Sequence, residues 1–200
     1  MPNFPQNPRP KTMAAKLKFD TKVNTTRNGR RQGIRKGPAR LAVTLNYNNS
    51  REDELSGLWA FLNAQQGSFG VFLVVLPYLS QGRGVQLANG KVASSVESGY
   101  LVETNNWPAN SVVRKATDLI QFAGSNSVYM LAQDLVSNGS GYAQANLCTP
   151  LLKPVVSGGN INIENIEIQM RWVDDEMPMD FAAGNYRALK TIKLEEEIDA

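Results

Sequence analysis

Basic side chains are the densest group in this sequence that could do chemistry. Six of them fall within residues 27–40, namely Arg27, Arg30, Arg31, Arg35, Lys36 and Arg40. Such a cluster can neutralise the phosphates of a nucleic acid or the carboxylates of a neighbouring protein. The nearest aromatic residue, Phe19, is predicted to face the core, so the cluster lacks the exposed aromatic rings on which the bases of single-stranded nucleic acid stack. Contact between subunits is therefore the favoured interpretation, ahead of direct nucleic-acid binding and of a merely solvated face.

Charge is distributed unevenly along the chain. Residues 1–40 hold eleven Lys or Arg against one acid, a net charge of +10, whereas residues 164–200 hold four against ten, a net charge of −6. This asymmetry suggests nucleic-acid contact or the pairing of opposite surfaces on two copies. The basic cluster is thus predicted to meet an acidic subunit interface on a neighbour. The candidate acids are Asp174, Asp175, Glu176, Glu195, Glu196 and Glu197.

The residue types that catalysis needs are missing or badly spaced. The chain has no histidine, which removes the commonest general base and metal ligand. Its single cysteine, Cys148, excludes a multi-cysteine zinc site and is expected to be a small buried apolar residue. Asp174 and Asp175 would point to opposite faces of a strand, and Gly82-Arg83-Gly84 lacks the strand-then-helix context of a phosphate loop. We predict no enzyme activity, no cofactor and no metal site.

The sequence shows no targeting or membrane-spanning segment. Its first residues lack a charged start and an apolar run, and no stretch is long and apolar enough to cross a bilayer. With one cysteine, the expected setting is a reducing cytoplasm, without membrane contact.

A single helix flanked by strands must position these side chains. Leu55, Leu58, Trp59 and Leu62 recur at helical spacing, which predicts a helix over residues 51–66 that Ser50 caps and Gly67 ends. The apolar run at residues 69–76 predicts a buried strand, and the alternation of Leu41, Val43, Leu45 and Tyr47 predicts a strand with one buried face.

The basic cluster itself falls on a predicted hairpin. Leu17, Phe19, Thr21 and Val23 alternate with polar residues, which indicates a strand with one wet, basic face. Asn28-Gly29 is the strongest hairpin signal in the chain, because a type I′ turn needs positive φ at both central residues. Residues 30–35 are predicted to return as the second strand.

The remaining sequence favours many short strands. Turn residues separate apolar segments throughout residues 80–154, which is typical of a small barrel or sandwich. The apolar residues from Ile161 to Trp172 alternate in two phases, which indicates a bulge or bend at Glu164-Asn165. We predict a mainly β fold: an extended arm (1–11), a β-sandwich domain with one helix (12–77 and 155–200), and an inserted small β-barrel-like domain (78–154). Trp59 and Trp172 are expected in the core and Trp107 at an interface.

These patterns together resemble the distal tail and related minor tail proteins of long-tailed bacteriophages. The resemblance covers roughly residues 15–195. It is carried by the basic strands, the helix, Gly67 and the segments 72–77, 106–110, 113–124, 128–131, 137–141, 150–151 and 194–196. It departs at Ala116-Thr117, where the pattern has a glycine turn before the aspartate.

The resemblance implies a structural role in the virion tail, after assembly in the host cytoplasm. About six copies would form a ring that joins the tail tube protein to the hub and to receptor-binding or fibre proteins, and DNA would pass through the lumen. The basic cluster would then face a neighbouring subunit or the lumen. The alternative is a nucleic-acid-binding or capsid-type β protein that uses its basic N-terminal region.

Overall fold

The computed structural model describes residues 1–47, 52–77, 79–84, 90–174, 181–182, 186–187 and 191–198. These residues confirm a mainly β fold with one α-helix, α1 (Glu52–Ala64). The strands are β1 (Thr12–Lys18), β2 (Thr21–Thr25), β3 (Arg31–Arg35), β4 (Arg40–Asn46), β5 (Val71–Val75), β6 (Lys91–Val92), β7 (Leu101–Asn105), β8 (Val112–Arg114), β9 (Leu119–Phe122), β10 (Val128–Met130), β11 (Leu135–Val136), β12 (Ala143–Asn146), β13 (Ile161–Asn162), β14 (Glu167–Trp172), β15 (Phe181–Ala182), β16 (Tyr186–Arg187) and β17 (Ile192–Glu196). No helix among them is long and apolar enough to cross a membrane.

The chain folds into two compact units. The first consists of Met1–Leu73 and Gln169–Glu197, and the second centres on Val74–Ile168. The predicted boundary at 154/155 differs from the observed one, because residues 155–168 join the middle block. Val155 bridges Val96, and Ile161 in β13 pairs with Phe122 in β9.

A five-stranded sheet with the order β1-β4-β17-β14-β5 forms the body of the first unit. Leu41, Val43, Leu45 and Tyr47 are buried, which confirms the one-sided strand predicted there. The predicted strand at 69–76 begins later, at Val71, and Phe69 is exposed. The last strand, β17, continues into the acidic segment as far as Glu196.

Helix α1 is the single α-helix of the described chain. Its apolar stripe Leu55, Leu58, Trp59 and Leu62 is buried, as the spacing predicts. The helix ends at Ala64, and the chain then turns through two left-handed residues, Gln66 (φ 55°) and Gly67 (φ 69°). The predicted cap Ser50 lies outside the described residues. Phe61 meets Phe72 of β5 edge-on at 5.4 Å, so an aromatic contact fixes the helix against the sheet.

The N-terminal arm, residues 1–11, docks on its own chain. Asn3 bridges Leu73 in parallel, and the Phe4 amide donates to the Leu73 carbonyl at 2.8 Å. Phe4 is buried and stacks on Phe72, with the ring centroids 5.7 Å apart. Residues 2–4 therefore close the β5 edge of the sheet, since an apolar anchor offsets the entropy of ordering the arm.

The second unit is built from short antiparallel sheets with the orders β10-β9-β13, β11-β8 and β12-β7-β6. These sheets stay open in the described part of the chain, so no closed barrel forms there. Trp107 belongs to the buried core of this unit and not to a surface, contrary to the interface expected for it. Its indole Nε1 donates to Thr104 Oγ1 at 2.8 Å. Asn165 (φ 48°) forms the bend predicted between β13 and β14.

Candidate functional site

The basic cluster lies on a two-stranded ribbon formed by β2 and β3, defined here as the basic ribbon (residues 19–36). Thr21 pairs with Arg35 and Thr25 with Arg31. The predicted hairpin is confirmed, but its turn is not type I′. The Gly29 amide donates to the Thr26 carbonyl at 2.9 Å, and Gly29 has a φ of 76° whereas Asn28 does not take positive φ. This is a three-residue loop, in which a type I turn is followed by a left-handed glycine.

The basic ribbon continues a hairpin that begins inside the sheet. Its base, β1 and β4, pairs from Thr12 opposite Asn46 to Lys18 opposite Arg40. The pairing then breaks around Gly37-Pro38 and resumes as β2 and β3, which are hydrogen-bonded only to each other among the described strands. Every residue from 19 to 36 is exposed.

Positive charge dominates the basic ribbon. It carries six cations and one acid, Asp20, a net charge of +5. None of the six forms a salt bridge within the described chain. They are Lys22, Arg27, Arg30, Arg31, Arg35 and Lys36.

One face of the basic ribbon combines arginine with an aromatic ring. Partners across an antiparallel ladder share a face, so Arg31, Gly33 and Arg35 lie on the same side as Val23. The Arg35 guanidinium lies 5.6 Å from the centroid of the Phe19 ring, a cation–π contact. Phe19 is 53% exposed, so the prediction that it faces the core is wrong.

The opposite face mixes Ile34 with Lys22, Asn24 and Gln32. Val23 and Ile34 are 57% and 47% exposed, and they lie on different sides of the basic ribbon. Neither face is therefore apolar enough to pack as a core face. An isolated two-stranded ribbon is only marginally stable in water, so this element is suited to be covered by a partner.

Arg40 is separated from the other basic candidates. It lies in β4 and lines a cleft of about 390 Å³ in the first unit. The other lining residues are Ser68, Arg171, Trp172, Val173, Glu195, Glu196 and Glu197. The cleft thus brings three of the predicted acids together with two arginines.

The predicted acidic interface is occupied by contacts within the chain. Glu195 pairs with Lys18 at 2.8 Å, and Glu197 pairs with Arg171 at 3.0 Å. Glu196 is 3% exposed, and its carboxylate accepts a hydrogen bond from the Leu41 amide at 2.9 Å, so it cannot reach a neighbour as placed.

The other acidic candidates, Asp174, Asp175 and Glu176, lie earlier in the sequence. Asp174 pairs with Lys193 at 3.4 Å. Asp175 and Glu176 lie outside the described residues.

The other titratable groups of the described chain do not form a reactive set. Cys148 is half-buried, and burial raises the pKa of its thiol, which favours the protonated form. Arg114 is fully buried. Burial lowers the pKa of its guanidinium, while Glu164 and Asp118 oppose this shift. Among the described residues no three His, Cys, Asp or Glu converge as a metal group.

Sequence reasoning missed the exposed apolar residues Phe19, Val23 and Ile34 as part of this site. The sequence did contain a pattern that indicates two exposed faces. The cations occupy both odd and even positions within residues 22–35. A strand pair with cations at both parities has no side that can be buried at low cost.

Comparison with known proteins assigns no family to this chain, because no family model and no curated protein matches it. The resemblance to phage tail proteins stays a prediction.

Proposed function

We propose that this protein is a structural component of a bacteriophage tail tip and catalyses no reaction. Copies of it, about six in number, form a ring that connects the tail tube to the hub and to host-recognition appendages and leaves a channel for DNA. The observation that carries the proposal is the unequal pair of sheet edges in the first unit. One edge is closed by the chain itself, and the other is open and continues into the basic ribbon.

The open edge is β1. Among the described strands it is hydrogen-bonded only to β4, so one side of its backbone is available to another chain. Residues 2–4 cover the β5 edge at the other end of the sheet. A ring requires each subunit to offer one surface to a different surface on its neighbour, and a sheet with one closed and one open edge supplies that polarity.

The edge residues support a selective contact. Lys16 and Lys18 lie on β1, and lysines on an edge strand disfavour pairing with arbitrary strands. Lys18 already pairs with Glu195, so the edge has a defined charge pattern and not a bare apolar surface. A neighbour that pairs with β1 must match this pattern, which favours a specific register.

The assembly state tests the proposal. Light scattering during gel filtration and negative-stain imaging, with and without the tail tube protein, should show rings of about six copies. Antibody labelling of phage particles should place the chain at the tail tip. A chain that stays monomeric beside its tail neighbours, or that occurs in no particle, would contradict the proposal.

A triple substitution separates the two roles predicted for the cluster. If the basic ribbon contacts a neighbouring subunit, Arg30→Ser, Arg31→Ser and Arg35→Ser together should prevent ring formation while the monomer stays folded. If the basic ribbon faces the lumen, rings should form normally and DNA passage should suffer. Circular dichroism checks the fold in either case.

A further inference from the structure

We infer that the basic ribbon binds double-stranded DNA by lying in a groove of the duplex, with its cations on the phosphates of both strands. The choice of DNA over other polyanions rests on the proposed function, in which DNA passes through the ring. The binding itself follows from charge and shape, and it does not require that a ring has formed.

The charges favour a polyanionic partner over a second copy of the chain. All six cations of the basic ribbon lack a salt bridge within the described residues. The described acids that were predicted to receive them are used internally or buried: Glu195, Glu197 and Asp174 pair with cations, and Glu196 is enclosed. Moving one of these acids onto the basic ribbon would exchange one ion pair for another, with little net gain.

The second unit offers no strongly acidic surface as a substitute. Residues 74–168 carry six acids and five Lys or Arg, a net charge of −1. Two of those acids, Asp118 and Glu164, lie in ion pairs with Arg83 and Arg114. A phosphate backbone, by contrast, presents about one charge per 1.7 Å of duplex and releases counterions as it binds.

The shape of the basic ribbon fits a DNA groove. A major groove about 12 Å wide admits a two-stranded β-ribbon. At about 3.3 Å per residue, the segment from Phe19 to the Asn28 turn extends roughly 30 Å, close to one turn of the duplex. Because residues 19–36 are exposed on both faces, the groove walls can approach from either side.

The cations are distributed so that both walls can be contacted. Arg31 and Arg35 lie on one face, separated by Gly33, whose missing side chain leaves room between them. Lys22 lies on the other face, and Arg27 and Arg30 flank the turn at the tip. The guanidinium stack on Phe19 orients Arg35, which reduces the side-chain entropy that phosphate binding would remove.

Fluorescence anisotropy with a labelled duplex of about 24 base pairs tests the inference on the full-length chain. About five phosphate contacts give a slope of about −4.5 for log K against log salt, so Kd should rise about 500-fold between about 50 and 200 mM NaCl. With Arg30→Ser, Arg31→Ser and Arg35→Ser combined, about two contacts remain. The same change in salt should then raise Kd only about 12-fold.

A second triple variant controls for net charge. Lys91→Ser, Lys115→Ser and Lys153→Ser remove the same three charges from the second unit and should keep the wild-type slope. An equal loss of duplex affinity in both triple variants, or no duplex binding by the wild type at low salt, would overturn the inference. So would a basic-ribbon variant that loses only self-association, because the basic ribbon would then be a subunit contact. A monomeric chain that binds DNA with the expected slope would refute the ring and leave this inference standing.

Discussion

The packing of Gly90 against Trp107 makes a sharp test of the core of the second unit. A Cβ added at Gly90 would lie 1.9 Å from Trp107 Cη2 and 2.0 Å from Cζ2, far inside van der Waals contact. The indole cannot simply move away, because it is buried and its Nε1 is bonded to Thr104 Oγ1, which in turn donates to the Ala143 carbonyl at 2.8 Å.

The expected cost of Gly90→Ala follows from these contacts. Overpacking of this kind costs ~1–3 kcal/mol, and displacement of the ring removes a hydrogen bond worth ~1 kcal/mol. We therefore expect the free energy of unfolding to fall by about 3 kcal/mol. Urea unfolding followed by far-UV circular dichroism measures this change. Gly139→Ala is the matched control, because its nearest atom, Asn110 Oδ1, is 3.8 Å away, and it should stay within ~0.5 kcal/mol of the wild type.

A double variant tests the cause of this loss. Trp107→Phe removes the indole atoms that a Cβ at Gly90 would strike, at the expense of the Thr104 hydrogen bond. If the clash is responsible, Gly90→Ala combined with Trp107→Phe should cost about 2 kcal/mol less than the sum of the single variants. Additive costs, or a Gly90→Ala protein as stable as the Gly139→Ala control, would refute the reasoning. They would also favour the interface position that the sequence predicts for Trp107.

Three further substitutions address the arm, a buried tyrosine and a strained turn. Phe4→Ala should lower the free energy of unfolding by about 3 kcal/mol, whereas the exposed Phe69→Ala should not; equal effects in urea would contradict the docked arm. Burial raises the pKa of Tyr47, so its contribution to stability is lost as pH rises above the unfolded pKa of about 10. Tyr47→Phe should therefore reduce the loss of stability at alkaline pH. An unchanged dependence of stability on pH would contradict this role of Tyr47. Thr117→Asn should raise stability by about 0.5–1 kcal/mol in urea, because asparagine tolerates the left-handed conformation of Thr117 (φ 73°) better and its side-chain oxygen can accept from Arg83 in place of Thr117 Oγ1; no gain would show that the turn is unstrained.

Elements with a strong period were predictable from the sequence. The stripe from Leu55 to Leu62 and the alternation from Leu41 to Tyr47 each require one buried face, and the structure buries both. Burial of apolar area is the largest favourable term in folding. The spacing that places apolar residues on one face therefore determines whether the segment forms a helix or a strand. The docking of Phe4 was not predictable in this way, because one aromatic in a proline-rich segment has no period.

The register of the basic ribbon was not predictable, because it depends on whether the turn has two or three residues. A two-residue type I′ turn at Asn28-Gly29 would pair Val23 with Ile34 and so create an apolar patch on one face. The observed three-residue loop shifts the register by one, pairing Val23 with Gly33 and Ile34 with Lys22. A one-residue shift moves side chains to the opposite face, so no dry face forms. The sequence signal for a hairpin was thus correct, while the identity of its faces depended on a φ angle that residue types do not determine.

The turn at Thr117 shows how a departure in sequence can preserve a backbone shape. A glycine was expected before Asp118, and the structure nevertheless gives Thr117 positive φ. Asp118 supports this conformation by accepting hydrogen bonds from the amides of Lys115 and Arg83, at 3.0 and 2.8 Å. The Arg83 side chain also donates to Asp118 and to Thr117 Oγ1. Neighbouring contacts can therefore impose a conformation that the residue itself disfavours.

The position of the break in the long hairpin explains how one element can serve both proposals. At its base, β1 pairs with β4 and keeps an edge of the sheet open. Beyond Gly37-Pro38 the ladder leaves the sheet, and its side chains are no longer buried by a neighbouring strand. If the cations lay on the sheet itself, alternate side chains would point into the core, where desolvation disfavours a charged group. On a ribbon that extends beyond the sheet, the side chains of both faces stay in water. The basic ribbon can therefore carry a net charge of +5 without that desolvation penalty. Shortening it should therefore remove DNA binding while leaving the β1 edge intact.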